Sequence, residues 1–320
     1  MNFLFSYRAN RALRRTREVI AVAALAWVCF GTPFQSGCAE GRALPSGSSA
    51  HSNSSPAGAS GSIASRQTPY RFVLRSNMVA VVDADTSQLL YAKNEDKITP
   101  IASITKLMTA MVTLDAQLPL REALVIGDED VDHLRASRSF LNVGTQLSRE
   151  DMLHLALMAS ENRAAACLSR YYPGGRPAFV GAMNRKAHEL GMEGSRFSDS
   201  SGLGSENVST ALDLVKLVKA AAHYPLIRQF STDANYEVHI GKRGNRLLRY
   251  VNTNRLVGRT GWDIELQKTG YTSESGRCLV MAANVDSRNL IMVFLDSVGT
   301  LTRFADASRV RQQLARQQRR

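Results

Sequence analysis

The sequence predicts an α+β fold: an antiparallel sheet flanked by helices, with a helical subdomain inserted between its strands. Three observations point there. A strand pattern at residues 78–83 turns at Ala84-Asp85-Thr86-Ser87 and returns at 88–92, which makes a hairpin. A block of segments with helical periodicity follows. From residue 236 the period reverts to two, in strands at 236–240, 247–251, 264–268, 279–285 and 290–295, and a helix closes the chain after Thr302. Strands, helices and strands in contiguous runs favour a sheet whose first hairpin comes from before the helical block.

The chain has 320 residues, and 44% hydrophobic content suffices for a sizeable core. Its formal charge of +12 comes mostly from the two ends, since residues 1–20 hold five arginines and residues 303–320 hold six. The middle is nearly balanced and has no basic stripe, which argues against a nucleic-acid partner. Residues 1–39 read as a signal peptide: Arg8 to Arg17 supply the charge, 19–30 an apolar run too short to favour a spanning helix, and Gly37-Cys38-Ala39 the small residues. A periplasmic location follows. Gln35-Ser36-Gly37-Cys38 resembles a lipoprotein cleavage site except that Gln35 stands where leucine is expected, so lipidation at Cys38 stays open. Residues 40–69, rich in Ser, Gly and Ala, form a flexible linker. The folded domain spans 70–311, and 312–320 form a basic tail, either a solvated helix end or a weak contact to anionic envelope polymers or lipid head groups.

Within the domain, Ile104, Leu107, Met108, Met111 and Val112 form one helix face. Ser103 falls in its first turn, and Lys106 projects from the same side, within reach of the Ser103 hydroxyl. An amine acts as a base only after losing its proton, so burial or a second cation must lower the Lys106 pKa. The quartet by itself is weak and fits an exposed serine and a surface lysine better than a catalytic pair. Residues 125–140 carry no legible period. Ser148 with Asp151 marks a capped helix start, and that helix ends at the polar break Ser160-Glu161-Asn162 before another at 163–169. Pro173-Gly174-Gly175 is a turn, 179–190 a helix closed by Gly191, 197–209 a Ser/Gly-rich loop, and Thr210 with Asp213 caps the next helix. Gly241 to Asn245 join the strands at 236–240 and 247–251 as a hairpin.

Lys268-Thr269-Gly270 ends a strand. The glycine lets an acyl group approach the backbone, the lysine supplies fixed positive charge, and the threonine hydroxyl can bind a carboxylate. No His-Glu-x-x-His or paired histidine spacing occurs among the six histidines, so neither a metal nor any other cofactor is expected. Cys167 and Cys278 look like buried small hydrophobes, with a disulfide between them permitted by export but not indicated.

Ser103-x-x-Lys106, Ser160-x-Asn162 and Lys268-Thr269-Gly270, in this order, resemble the three-part signature of the penicillin-recognising serine acyltransferases. The resemblance covers nearly all of 70–311. It is closest to the low-molecular-mass D-alanyl-D-alanine peptidases, above all their endopeptidases, through 102–112, 160–166, Tyr172 to Gly175, Asn252-Thr253-Asn254 and 267–270. It implies a β-lactamase/transpeptidase-like fold, peptidoglycan stem peptides as substrate and β-lactams as inhibitors. Carried over by position, Ser103 is the nucleophile, Lys106 its base and Ser160 the proton relay to the leaving amine, helped by Lys268. Asn162 and Thr269 then bind substrate, and the N–H groups of Ser103 and Tyr271 form the oxyanion hole beside Gly270. A β-lactamase would need a Glu-x-x-x-Asn between Asn162 and Lys268, and none occurs. A non-enzymatic sensor would need a spanning helix and a cytoplasmic partner domain. A carboxypeptidase is the remaining alternative; the roughly fifty residues after Gly270, where many carboxypeptidases continue into a further domain, favour the endopeptidase.

Overall fold

The computed structural model describes residues 70–241 and 244–318. The expected signal peptide with Cys38, the linker at 40–69, the hairpin residues Lys242 and Arg243, and Arg319 and Arg320 lie outside the described residues.

The chain opens on β1 (Met78–Asp83) and β2 (Leu89–Lys93), whose turn is closed by the Thr86 N–H donating to Asp83 Oδ1 at 3.0 Å. A short β3 (Thr99–Pro100) and a single 3-10 turn, Ala102–Ile104, lead into α1 (Thr105–Asp115). β4 (Ala123–Val125) leads into the stretch without a legible period, which forms a 3-10 turn at Asp128–Asp130 and then a long loop that ends at β5 (Gln146–Ser148), the partner of β4. The helix α2 (Arg149–Met158) begins with the reciprocal cap expected of Ser148 and Asp151: Asp151 N–H donates to Ser148 Oγ at 3.0 Å, and Ser148 N–H to Asp151 Oδ2 at 3.1 Å. Then come α3 (Asn162–Arg170) and α4 (Gly175–Glu189), the latter entered through Gly174 at φ +82°, so it starts a turn earlier than its apolar pattern suggests. They are followed by β6 (Val208–Ser209), α5 (Ala211–Ala221) capped by Thr210, and α6 (Pro225–Thr232). α6 has no counterpart in the sequence reading because eight residues are too few for a helical period to declare itself.

The remaining strands are β7 (Asn235–Ile240), β8 (Arg246–Val251), β9 (Asp263–Thr272), β10 (Gly276–Val285) and β11 (Arg288–Ser297), and α7 (Thr302–Gln318) ends the described chain. The five-stranded sheet runs β2-β1-β11-β10-β9. β1 pairs antiparallel with β11, Met78 opposite Leu295, so the first hairpin does join the last strands. Three expectations need correction. β7 and β8 pair only with each other and stand outside this sheet. β9 continues to Thr272, pairing Thr272 with Gly276, so Lys268-Thr269-Gly270 lies inside an edge strand rather than at a strand end. The boundary at 311 cuts a continuous helix: α7 carries Leu314, 2% exposed, into the core, so a free tail can begin only beyond Leu314.

Alternation decides the layers. Met78, Ala80, Val280, Ile291 and Val293 face a core shared with α1 through α6, whereas Val79, Val81, Met281, Met292 and Phe294 face Phe304, Ala307, Val310 and Leu314 of α7. With both faces covered, the sheet is rigid, and the edge strand β9 is the backbone it presents to the helical lobe. Cys167 and Cys278 are both buried and both free thiols, which resolves the open disulfide.

Candidate active site

Ser103 sits in the 3-10 turn before α1, and two of its neighbours hold the chain in unusual positions. Ala102 takes φ +47°, and Ser160, in the α2–α3 connection, takes φ +61°, both left-handed values outside the usual range of L residues. Strain of this kind costs on the order of 1–3 kcal/mol per residue and persists only where surrounding contacts over-determine it. Here the contacts come from a loop and a strand. Gly270 on β9 lies so close that a Cβ there would stand 3.0 Å from Ile101 O and 3.1 Å from Ser103 N. Gly202, at φ +78°, is closer still: a Cβ would fall 2.0 Å from Ala102 O.

Ser103, Ser160, Asn162, Thr269, Gly270 and Tyr271 line one open pocket of about 590 Å³. Lys106 and Lys268 are fully buried. The Lys106 amine donates to Ser103 Oγ at 2.8 Å, to Asn162 Oδ1 at 2.7 Å and to the Ser201 carbonyl at 2.6 Å. Three acceptors saturate an ammonium, so the amine is aimed rather than loosely placed. Asn162 also donates from Nδ2 to Ser137 Oγ at 3.1 Å, and Thr269 Oγ1 bonds Thr253 Oγ1 at 2.6 Å. Lys268 donates to the Thr269 carbonyl at 3.0 Å.

Burial brings the Lys106 pKa down to about 7, against the opposing pull of Asp199 and Glu161. Of the two causes the sequence offered, burial or a second cation, burial is the main one. The second cation acts the other way round. Lys268 is pushed well below its ordinary value by burial first and then by the charge of Lys106, so the two amines disfavour each other's protonation and titrate as a coupled pair. A base with a pKa of about 7 makes the sign of a pH profile definite. Below that value Lys106 is protonated and inactive, so the rate at which benzylpenicillin acylates Ser103 should climb about tenfold per pH unit, then level off above neutrality. A profile flat from mild acid to high pH would remove Lys106 as the base.

The sequence reading missed the loop that receives Lys106. Asp199 accepts from the N–H groups of Ser201 (2.6 Å), Gly202 (2.7 Å) and Gly204 (3.0 Å), from Ser201 Oγ (2.7 Å) and from Asn207 Nδ2. Burial would raise its pKa, but these bonds outweigh burial and hold the carboxylate below its ordinary value. Thr109 Oγ1 then donates to the Ser200 carbonyl at 2.6 Å, which fastens the loop to α1 one turn beyond Lys106. Glycines and serines between two helices were legible only as a loop; a single acid organising five donors is a tertiary fact. Three further lining residues, Arg135, Ser137 and Arg303, were also missed. Arg135 and Ser137 come from the stretch without a period, and Arg303 from the first turn of α7.

The sequence profile of the peptidase S11 family, described as D-alanyl-D-alanine carboxypeptidase, matches residues 64–299. The chain is 48% identical over 246 residues to a D-alanyl-D-alanine endopeptidase of Pseudomonas aeruginosa, covering 77% of this chain and 79% of that one. It is 46% identical over 238 residues to the D-alanyl-D-alanine endopeptidase of Escherichia coli K12, covering 74% and 76%. Among solved structures, the Streptomyces K15 DD-transpeptidase superposes with a TM-score of 0.69 at 27% identity, covering 76% of this chain and 97% of its own. Penicillin-binding protein D2 from Listeria monocytogenes, solved in its cefotaxime-bound form, superposes with a TM-score of 0.66 at 28% identity, covering 76% and 98%.

Proposed function

The chain belongs to the peptidase S11 family, and on that premise we propose that it is a serine D-alanyl-D-alanine endopeptidase of the penicillin-binding protein 7 type, which hydrolyses D-alanyl cross-links in peptidoglycan outside the cytoplasmic membrane. The observation that carries the reading is the buried Lys106 amine, 2.8 Å from Ser103 Oγ with its pKa lowered to about 7.

Ser103 Oγ attacks the D-alanyl carbonyl while its proton passes to Lys106 Nζ. The negative oxygen of the tetrahedral intermediate is held by the N–H groups of Ser103 and Tyr271; the close approach of Gly270 to Ser103 N supports this reading. Collapse breaks the C–N bond; the departing amine takes a proton through Ser160 Oγ from Lys106, with Lys268 beside this path. Neutral again, Lys106 activates the water that cleaves the acyl-enzyme. Asn162 binds the peptide backbone of the substrate, and Thr269, backed by Thr253, binds the carboxylate next to the scissile bond, with the buried Arg303 lining the same pocket. No glutamate is among the described residues lining this pocket. β-Lactams should acylate Ser103 and stay attached, because their expelled amine remains tethered where the water activated by Lys106 must enter, and no glutamate activates a water from another side.

Export through residues 1–39 and a weak envelope contact through the arginine-rich end of α7 complete the proposal. The test is mass spectrometry of a purified cross-linked muropeptide dimer incubated with the protein. Conversion to monomers is expected. Release of free D-alanine from pentapeptide ends with the dimer intact would make the protein a carboxypeptidase instead, the activity by which its family is described.

A further inference from the structure

We propose that Arg135 is a specificity residue for the acyl half of the substrate, pairing with a side-chain carboxylate on the residue that precedes the scissile D-alanine; this rests on the function proposed above. Direction along β9 sets the geometry. Thr269, Gly270, Tyr271 and Thr272 follow one another along the pocket on β9, advancing roughly 3.3 Å per residue, and Ser273, which also lines the pocket, opens the turn to β10. The attacked carbonyl is fixed between Ser103 and Tyr271. Its leaving side lies toward Thr269 and Thr253, so its acyl side must run the opposite way, past Thr272. A substrate chain extended beside the edge strand advances at the same pitch, which sets the residue before the D-alanine at the end of β9, where Thr272 gives way to the turn at Ser273.

Arg135 waits at that level. Its Nε donates to the Leu203 carbonyl at 2.7 Å and its Nη2 to Glu274 Oε2 at 2.7 Å, while Nη1 makes only a long 3.4 Å contact to Ser273 Oγ. The first two bonds hold the guanidinium plane from opposite walls of the pocket. A guanidinium has five N–H groups, so Nη1 keeps its capacity for a strong acceptor, and its rigid fork suits a carboxylate better than any neutral group. The side chain is 26% exposed and lines the pocket, which keeps the fork accessible. Glu274 is the internal competitor for the same charge.

Two cross-linked dimers test this, identical except that the side-chain carboxylate of the residue before the scissile D-alanine is free in one and amidated in the other. For the native protein, kcat/KM should favour the free acid by about tenfold, the lower range for a hydrogen-bonded charge pair at a wet rim. Arg135→Gln should bring the ratio to about one. Glu274→Gln should raise it by up to about fivefold, the worth of an exposed ion pair no longer competing. A strap that merely fixes the 132–140 loop would respond the other way, so a ratio lowered by Glu274→Gln would overturn the inference. Equal cleavage of both dimers by the native protein, or a ratio that survives Arg135→Gln, would overturn it too while leaving the peptidase intact. Cleavage of neither dimer would bring down the peptidase reading and this inference together.

Discussion

Lys106→Met should lower the rate of Ser103 acylation by benzylpenicillin by about three orders of magnitude or more. General-base catalysis contributes about 10²–10⁴, and here the same amine also sets the Ser103 hydroxyl through its 2.8 Å bond, so the effect should fall in the upper part of that range. Methionine fills nearly the same buried volume without an amine, and it removes the cost of burying a charge. It leaves behind the Asn162 Oδ1 and Ser201 carbonyl acceptors, 2.7 and 2.6 Å from the lost nitrogen, at roughly 1–3 kcal/mol for each that water cannot reach. Stability should therefore fall modestly while acylation nearly stops. Intact-protein mass measured against time gives the rate, and a melting curve gives the stability. An adduct forming at the native rate in a folded variant would mean that another group takes the serine proton.

Gly202→Ala should damage both quantities at once. The new Cβ would lie 2.0 Å from Ala102 O and 2.4 Å from Ala102 C, on a residue whose φ of +78° already disfavours any side chain. Backbone cannot give way here as the end of a flexible side chain would. The loop must move back, taking the Ser201 carbonyl from Lys106 and loosening the turn that holds Ser103. The combined strain and lost contacts should cost roughly 2–4 kcal/mol, a fall in Tm on the order of 10 °C for a domain of this size. Misplacing a nucleophile by about 1 Å lowers rates by about a hundredfold, so acylation should drop by that factor even at temperatures where the variant is folded. Native acylation in the alanine variant would show that the loop does not set the position of Ser103.

Much of the site was legible because its chemistry is local. Ser103 and Lys106 share one helix face through their spacing alone, and Ser160 and Asn162 fall in a polar break that their apolar flanks delimit. The Ser148 and Asp151 cap, the first hairpin and the order of the late strands were readable for the same reason, since each rests on periodicity or on a short hydrogen-bonded motif. The limits of β9 were harder. Its apolar alternation stops at Lys268, but the strand continues through Thr272, because pairing with β10 supplies the hydrogen bonds that the pattern did not announce. The β7–β8 ribbon reads as two more strands of the sheet for the converse reason: alternation reports one buried face without saying against what.

The fold class, the family resemblance and the eight residues expected to do the chemistry could all be read from the chain unaided, since each rests on residue types at fixed separations. Which of those residues meet, and in what protonation state, depended on the packed molecule. The Lys106 pKa falls to about 7 through complete burial, a property of everything packed around it. The Asp199 loop, Thr253 behind Thr269 and Arg135 across the pocket mouth approach the site from positions 95, 16 and 138 residues away from their partners Lys106, Thr269 and Ser273. No spacing rule spans such distances, because they are closed by the packing of the sheet against the helical lobe.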